Sequence, residues 1–394
     1  MRYDVIVAGA GPAGSTAARE CAARGLSVLL LEKAAFPRDK PCGGGVSVRA
    51  ARLLPFDLSP VVERTAYGVR FSLRQSRGFV CSSSEPLTFI TQRAALDTLL
   101  ADQAVRAGAI LRQRTPVRAV ERHGTHVVVH AGRETFEGRT LVAADGANGP
   151  TARLAGVPIA RRLGIALEAN VSPRGGLGRE WLTLIGLDLG APRGGYGWMF
   201  PRGDHVNIGV GGWVHAALGL RALLDRLIRF YGFDPSTMSG VRGYHLPIRR
   251  PDAPLVWGNV LLTGDAAGLL DPLTGEGIHA AICSGRAAAS HLAAYLDGAA
   301  PDLQGYAREL AAELLPDLHV AARLHASIDR APGAFFAGVR YVPRAWDLMC
   351  RILRGDQTYI GVVRRIPGLL TARRYLRSSR GRIARPVTTS HSPR

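Results

Sequence analysis

Gly9, Gly11 and Gly14 stand in a Gly-x-Gly-x-x-Gly spacing, and a carboxylate, Glu32, follows 18 residues after the last of them. A pyrophosphate demands this pattern of a backbone. The first glycine lets the chain turn sharply, the second leaves no side chain where main chain meets phosphate, and the third lets a helix pack tightly on a strand. Pro12 and Ala13 fall where that helix begins, and its free N–H groups and partial positive charge face an anion. Glu32, followed by Lys33, ends the next apolar run and is placed to accept from a ribose 2′-hydroxyl. It would repel a 2′-phosphate, so the nucleotide expected is FAD or NAD rather than NADP.

Further along the chain, other residues carry chemistry. Cys42 precedes Gly43, Gly44 and Gly45; three glycines pack no core, and supply room and backbone donors beside something flat or charged. Arg93 stands in the first turn of a helix, where the dipole disfavours it; an anion holds it, or it is a solvated surface arginine. Asp145 and Gly146 follow an apolar run, which puts a carboxylate at the edge where open α/β sheets bind ligands; a plain Asp-Gly turn gives the same pattern. Asp265 also ends a buried strand, and a helix starting near Gly277 and Ile278 offers a positive end suited to the anionic isoalloxazine of a reduced flavin. His279 lies in its first turn. Tyr196, Trp198 and Phe200 alternate along one strand and so share a face; glycines beside them open space for a hydrophobic ligand, and aromatic core packing accounts for the same residues.

These groups must be positioned by a strand–helix–strand unit in residues 1–33 and by later strands at 109–112, 117–121, 126–130 and 140–144. Short strands at 67–91 and the aromatic, strand-rich stretch 165–212 read as a second sheet. After residue 302 the pattern is helical, with candidates at 302–327, 340–353 and 358–376 and with Pro332, Pro343 and Pro367 as breakers.

The 394 residues suffice for two or three packed units. Five scattered cysteines with no Cys-x-x-Cys argue against disulfides, structural zinc or another metal site, and for a reducing, cytoplasmic setting. No apolar run reaches the 18 or so residues needed to span a bilayer. The net charge is +19, and residues 351–394 hold eleven arginines and one aspartate. That basic end suits phospholipid headgroups, a diphosphate or nucleic acid. No nucleic-acid motif accompanies it, so no nucleic-acid partner is expected. The last helix sets Ile360, Val362, Val363, Ile366, Leu369 and Leu370 beside Arg364, Arg365, Arg373, Arg374 and Arg377. It lies on a membrane or caps the domain.

The fingerprint, the Asp145-Gly146 segment and the 264–277 segment, in that order, resemble the flavoprotein monooxygenase-like superfamily, which binds FAD. Phe36-Pro37-Arg38-Asp39-Lys40-Pro41-Cys42-Gly43-Gly44-Gly45, Tyr196-Gly197-Trp198-Met199-Phe200-Pro201 and His205-Val206-Asn207-Ile208-Gly209-Val210-Gly211 are similar to the geranylgeranyl reductase family. The resemblance implies an α/β fold: a Rossmann-like FAD-binding domain of the glutathione reductase type (1–66, 92–160 and 250–300), an inserted mixed β-sheet substrate domain (67–91 and 161–249) and a C-terminal helical region (301–376); it ends at the basic residues 377–394, whose composition reads as a disordered tail. It implies FAD contacts at Ala13, Glu32, Cys42, Gly43, Gly45, Arg93, Val117, Asp265, Gly277 and Ile278, and a prenyl tunnel lined by Tyr196, Trp198 and Phe200. The activity implied is reduction of isolated prenyl double bonds. Cys42 would be proton donor or relay, or would merely pack on the flavin; a free thiol titrates near 8.5. With no second nucleotide fingerprint, the electron source expected is transiently bound NADPH or a small ferredoxin-like carrier. The alternative on the same scaffold is an FAD-dependent aromatic monooxygenase or halogenase. Those families typically carry a different loop at 42–45, and halogenases a Trp at the place of Tyr196.

Overall fold

The computed structural model describes residues 2–76, 78–213 and 219–365. The 366–376 end of the expected last helix, with Ile366, Leu369, Leu370, Arg373 and Arg374, and the basic residues 377–394 lie outside the described residues.

Strand β1 (Arg2–Ala8) is buried from Val5 onward, as suits a short β-branched run at the centre of a parallel sheet. Gly9, at φ +100°, turns the chain into helix α1 (Pro12–Ala22). The chain returns in β2 (Val28–Leu31), wholly buried and parallel to β1 with Leu30 opposite Val7. The eight-stranded sheet runs β17 (Val256–Trp257), β18 (Val260–Leu262), β11 (Glu134–Ala143), β1, β2, β8 (Ile110–Arg112), with β9 (Val117–Arg122) and β10 (Val127–Ala131) joined through β11. Because β18, β11, β1 and β2 are parallel, one sheet edge gathers the residues just past their carboxyl ends: Asp265, Asp145, Gly9 and Glu32. Helices α3 (Arg93–Arg106) and α6 (Ile278–Leu296) pack on α1.

A seven-stranded sheet has the order β16 (Met238–Arg249), β12 (Arg161–Val171), β15 (Val206–Trp213), β14 (Tyr196–Pro201), β13 (Leu184–Leu189), β5 (Gly68–Leu73), β6 (Phe79–Ser82). Helix α5 (Leu220–Phe230) lays Leu220, Leu223, Leu224, Leu227 and Ile228 over one of its faces, an apolar stripe at helical spacing. The other face looks toward the first sheet's carboxyl edge.

Strand β7 (Thr88–Thr91), expected with the second sheet, pairs instead between β3 (Gly45–Ser47) and β4 (Val62–Ala66). Alternation identifies a strand but not the edge it joins. The edge it joins here begins at the glycine loop, with Ile90 opposite Gly45. Helices α2 (Val48–Ala51) and α4 (Thr151–Leu154) are single turns.

The C-terminal region is helical, in more pieces than expected: α7 (Gln304–Glu313), α8 (Leu315–Arg330), α9 (Pro332–Tyr341), α10 (Pro343–Arg354) and α11 (Tyr359–Arg365). Pro316 in the first turn of α8 cannot continue the preceding hydrogen-bond ladder, so the stretch expected as one helix divides at Leu314. No helix among the described residues is long and apolar enough to cross a membrane. All five cysteines are free thiols.

Candidate active site

At the first sheet's edge, α1 starts at Gly11 with no side chain capping its N–H groups. A Cβ on Gly14 would lie 1.8 Å from the Gly9 carbonyl oxygen, so only glycine lets the helix come this close. At Gly11 a Cβ would meet only the Arg38 side chain, with Nη2 3.6 Å away. Glu32 is buried and accepts from the N–H groups of Ala10 at 3.0 Å and Ala34 at 3.1 Å. Arg38 bridges Glu32 at 3.2 Å and Asp97 at 2.9 Å. Asp97 in turn holds Arg93 through bonds of 2.8 and 2.7 Å. The anion that steadies Arg93 is therefore a carboxylate one turn along its own helix. Burial works against the guanidinium's charge, yet Asp97 and the nearby Cys42 side chain push its pKa up.

Asp145 keeps one oxygen on the Thr151 N–H at 2.9 Å, while its Oδ1 is buried with no hydrogen-bond partner among the described residues; burial pushes its pKa up. Asp265 pairs with Lys40 at 3.3 Å. Helix α6, opening at Ile278, also lacks a side-chain cap.

Across from this edge lies the aromatic row. Tyr196 stands opposite Gly211, Trp198 opposite Gly209 and Phe200 opposite Asn207, so all three share the sheet's open face. The Trp198 indole lies on Gly209, where a Cβ would be 2.0 Å from Cζ2, and donates to Asn207 Oδ1 at 2.9 Å. From above, Gly43 rests on the Phe200 ring, a Cβ there being 2.6 Å from Cδ2. Flat rings are thus held between loop glycines and sheet glycines. Gly44, at φ +83°, offers its carbonyl to the Thr91 N–H at 2.9 Å. Cys42 is pinned at both peptide groups: its N–H donates to Glu168 Oε1 at 2.9 Å and its carbonyl accepts from Arg202 Nη2 at 2.7 Å. Its Sγ accepts from the Gly44 N–H at 3.4 Å. Tyr196 donates its hydroxyl to the Thr274 carbonyl, linking the row to the 271–277 loop.

That loop is anchored below by Arg49, which pairs with Glu276 at 2.8 Å and Asp271 at 3.2 Å. Burial opposes the Glu276 charge, but Arg49 holds its pKa below the usual range. Tyr359 of α11 donates to Asp271 at 2.9 Å, and Asp317 of α8 accepts from the Tyr359 and Ile360 N–H groups. The C-terminal helices are thereby tied to the loop. Burial, with Arg49 nearby, pushes the His279 pKa down to about 4, and its Nε2 lies 3.5 Å from Cys283 Sγ.

A cavity of about 1290 Å³ runs along both halves. Of the residues expected at the nucleotide or the apolar ligand, all but Gly14 line it, Lys33, Val117, Gly146 and Gly277 among them. Beyond the aromatic row its far wall is Phe71, Ile185, Leu187, Leu324, Phe335 and Val339. Sequence reasoning missed Glu168, Arg202 and Tyr244. Glu168 sits 126 residues from Cys42, and its only signal is a lone acid on the inward side of an apolar alternation, Ile165-Ala166-Leu167-Glu168-Ala169.

An FAD binding domain family matches residues 2–174. A menaquinone reductase of Mycolicibacterium smegmatis is 33% identical over 318 residues, covering 73% of this chain and 76% of that protein. A geranylgeranyl diphosphate reductase of Rhodobacter capsulatus is 31% identical over 318 residues, covering 76% and 78%. The chain belongs to the geranylgeranyl reductase family of FAD-dependent oxidoreductases. A solved geranylgeranyl bacteriochlorophyll reductase-like protein of Thermoplasma acidophilum matches with TM-score 0.78 and 24% identity, over 94% of this chain and 99% of that one. A flavin-dependent brominase matches at 0.74 and 24%, over 90% and 94%. At such identities the likeness is one of fold. The family's cofactor fits the residues present: two uncapped helix N-termini, side-chain-free backbone at Gly9 and Gly11 in the cavity wall and an orphaned Asp145 oxygen all lie along one sheet edge.

Proposed function

We propose that this family member saturates isolated carbon–carbon double bonds of a polyprenyl chain carried by a lipid, diphosphate, quinone or pigment ester. The observation that carries the reading is the apolar far end of the cavity, walled from β5, β13, α8 and α9. The whole exceeds the roughly 300–1,000 Å³ of a pocket for one small ligand, as suits a cofactor bay and a hydrocarbon lumen that share a wall.

On this reading Gly9, Gly11, Pro12, Ala13 and Gly14 hold the pyrophosphate of FAD, and Glu32 and Lys33 the ribose. Arg93, Val117, Asp145, Gly146, Asp265, Gly277 and Ile278 complete the bay, with Cys42, Gly43 and Gly45 against the ring. Bound there and reduced by NADPH or a small ferredoxin-like carrier, FAD would supply the hydride. The proton falls to the protein. An isolated alkene has no carbonyl to polarise, so its second carbon must be protonated as tertiary-cation character develops. The Cys42 thiol is the donor or relay, with Tyr196, Trp198 and Phe200 beside it in the cavity wall.

The test is anaerobic. The flavin of the purified protein is photoreduced and polyprenyl lipids are added. Return of the oxidised absorbance with prenyl lipids, and not with their saturated counterparts, supports the reading; return only when oxygen is admitted refutes it.

A further inference from the structure

Under Cys42 a carboxyl group is buried without a full set of partners. Glu168, 6% exposed, projects from β12 opposite Gly209 and so onto the face that carries Trp198. Its Oε1 accepts the Cys42 N–H at 2.9 Å, while its Oε2 is buried and has no hydrogen-bond partner among the described residues. Four groups face it: Cys42 from the loop, Arg202 from the turn after β14, Asn207 from β15 and Tyr244 from β16. Arg202 Nη2 serves the Cys42 and Gly43 carbonyls at 2.7 and 3.3 Å while its Nε is buried with no hydrogen-bond partner among the described residues, and the Asn207 amide donates to Asn170 at 3.1 Å. Arg242, the residue paired with Glu168 on β16, is drawn off to Asp39. Tyr244, two residues on from Arg242 and paired with Ala166, shares the sheet face of Glu168 and lines the cavity with Cys42.

A buried carboxylate with an unmatched oxygen favours its neutral form. Burial does push the Glu168 pKa up, against the pull of Cys42 N–H and Arg202. Burial, with Glu168 adjoining, pushes the Tyr244 phenol well up too, so that group keeps its proton.

We propose that Glu168, through Tyr244, is the proton store that recharges Cys42, a role that rests on the substrate being an isolated alkene. The S–H bond of Cys42 breaks as a C–H bond forms on the carbon opposite the one that takes hydride. The thiolate then takes the Tyr244 hydroxyl proton as the Tyr244 oxygen takes the proton of the Glu168 carboxyl, in one concerted shift. Glu168 is left as carboxylate and recovers a proton from water as product leaves. An ordinary carboxyl, near 4.3, is a stronger acid than a thiol near 8.5, and an ordinary phenol, near 10, is a weaker one; burial raises Glu168 and Tyr244 further, so the two transfers run together and no phenolate stands alone.

Two substitutions separate this from a purely structural role. Glu168→Gln keeps an acceptor for the Cys42 N–H and removes the proton; Glu168→Ala removes both. In flavin-loaded protein, the infrared difference between wild type and E168Q is expected to show a carboxylic C=O band below neutral pH that fades in alkaline buffer. Absence of the band overturns the proposal. Anaerobic reoxidation of the photoreduced flavin by a polyprenyl lipid is expected to slow on the order of 10²-fold or more in E168Q, with flavin content unchanged. Its fall with rising pH should flatten, and Tyr244→Phe should slow it likewise. Turnover in E168Q at the wild-type rate, with only E168A impaired, reduces Glu168 to a pin for the loop and overturns the relay alone. Wild-type protein that shows the band but reoxidises with no prenyl lipid overturns the reductase reading and the relay with it.

Discussion

Replacing Gly209 by alanine puts a methyl group where the Trp198 indole lies. The new Cβ would stand 2.0 Å from Cζ2 and 2.4 Å from Cε2, against the 3.4 Å at which ordinary contact begins. The ring must therefore lift by more than an ångström. Gly43 stands close by, its Cβ position 3.4 Å from Trp198 Nε1, which leaves the ring little room to move. Lifting also breaks the 2.9 Å bond to Asn207, worth about 1 kcal/mol, and overpacking of this kind costs about 1–3 kcal/mol more. G209A should lose about 2–4 kcal/mol in denaturant unfolding of the flavin-loaded protein. Flavin stoichiometry should stay near that of wild type, since Gly209 is not in the wall of the bay. Lipid-dependent reoxidation should fall sharply, because the indole and the 42–45 loop move where substrate meets flavin. Gly124→Ala, with nothing within 4 Å of its Cβ position, serves as the unaffected control. A G209A protein as stable and as fast as wild type would refute the stacked arrangement of ring and glycines.

Gly14→Ala sets a methyl group 1.8 Å from the Gly9 carbonyl oxygen, so α1 must back away from the sheet; the protein should elute from gel filtration largely stripped of flavin, and full retention would count against the phosphate role of this helix. Cys42→Ala should keep its flavin and slow lipid-dependent reoxidation on the order of 10²-fold, and an unchanged rate removes Cys42 from the chemistry. His279 takes a proton near 6.5 when unfolded and at about 4 when folded. Between those values the unfolded chain binds more protons, so stability falls as pH falls. Comparing wild type with His279→Gln by urea unfolding across that window should reveal a pH-dependent difference of up to about 3 kcal/mol, and parallel curves would contradict it.

The nucleotide edge was legible because phosphate chemistry writes itself locally: Gly9 to Gly14 and Glu32 belong to one strand–helix–strand unit, and glycine is required at positions the spacing exposes. The glycines at 43–45 announced a flat neighbour without naming it, and that neighbour, Trp198 with Phe200, lies more than 150 residues away in sequence. Arg93 showed its need of an anion, yet the partner is Asp97, within reach of the i, i+4 rule and present in the sequence beside it. Glu168 and Tyr244 carried no comparable mark, because their chemistry comes from burial against a loop from elsewhere in the chain. Strand β7 was visible as a strand and not in its pairing, since an edge is chosen by tertiary contact.

Product mass after a single anaerobic turnover tests the joined flavin bay and hydrocarbon lumen most directly. The expected product is a prenyl chain heavier by two hydrogens for each flavin reoxidised, with oxygen excluded throughout. A product heavier by oxygen or halogen, formed only in air, would contradict it.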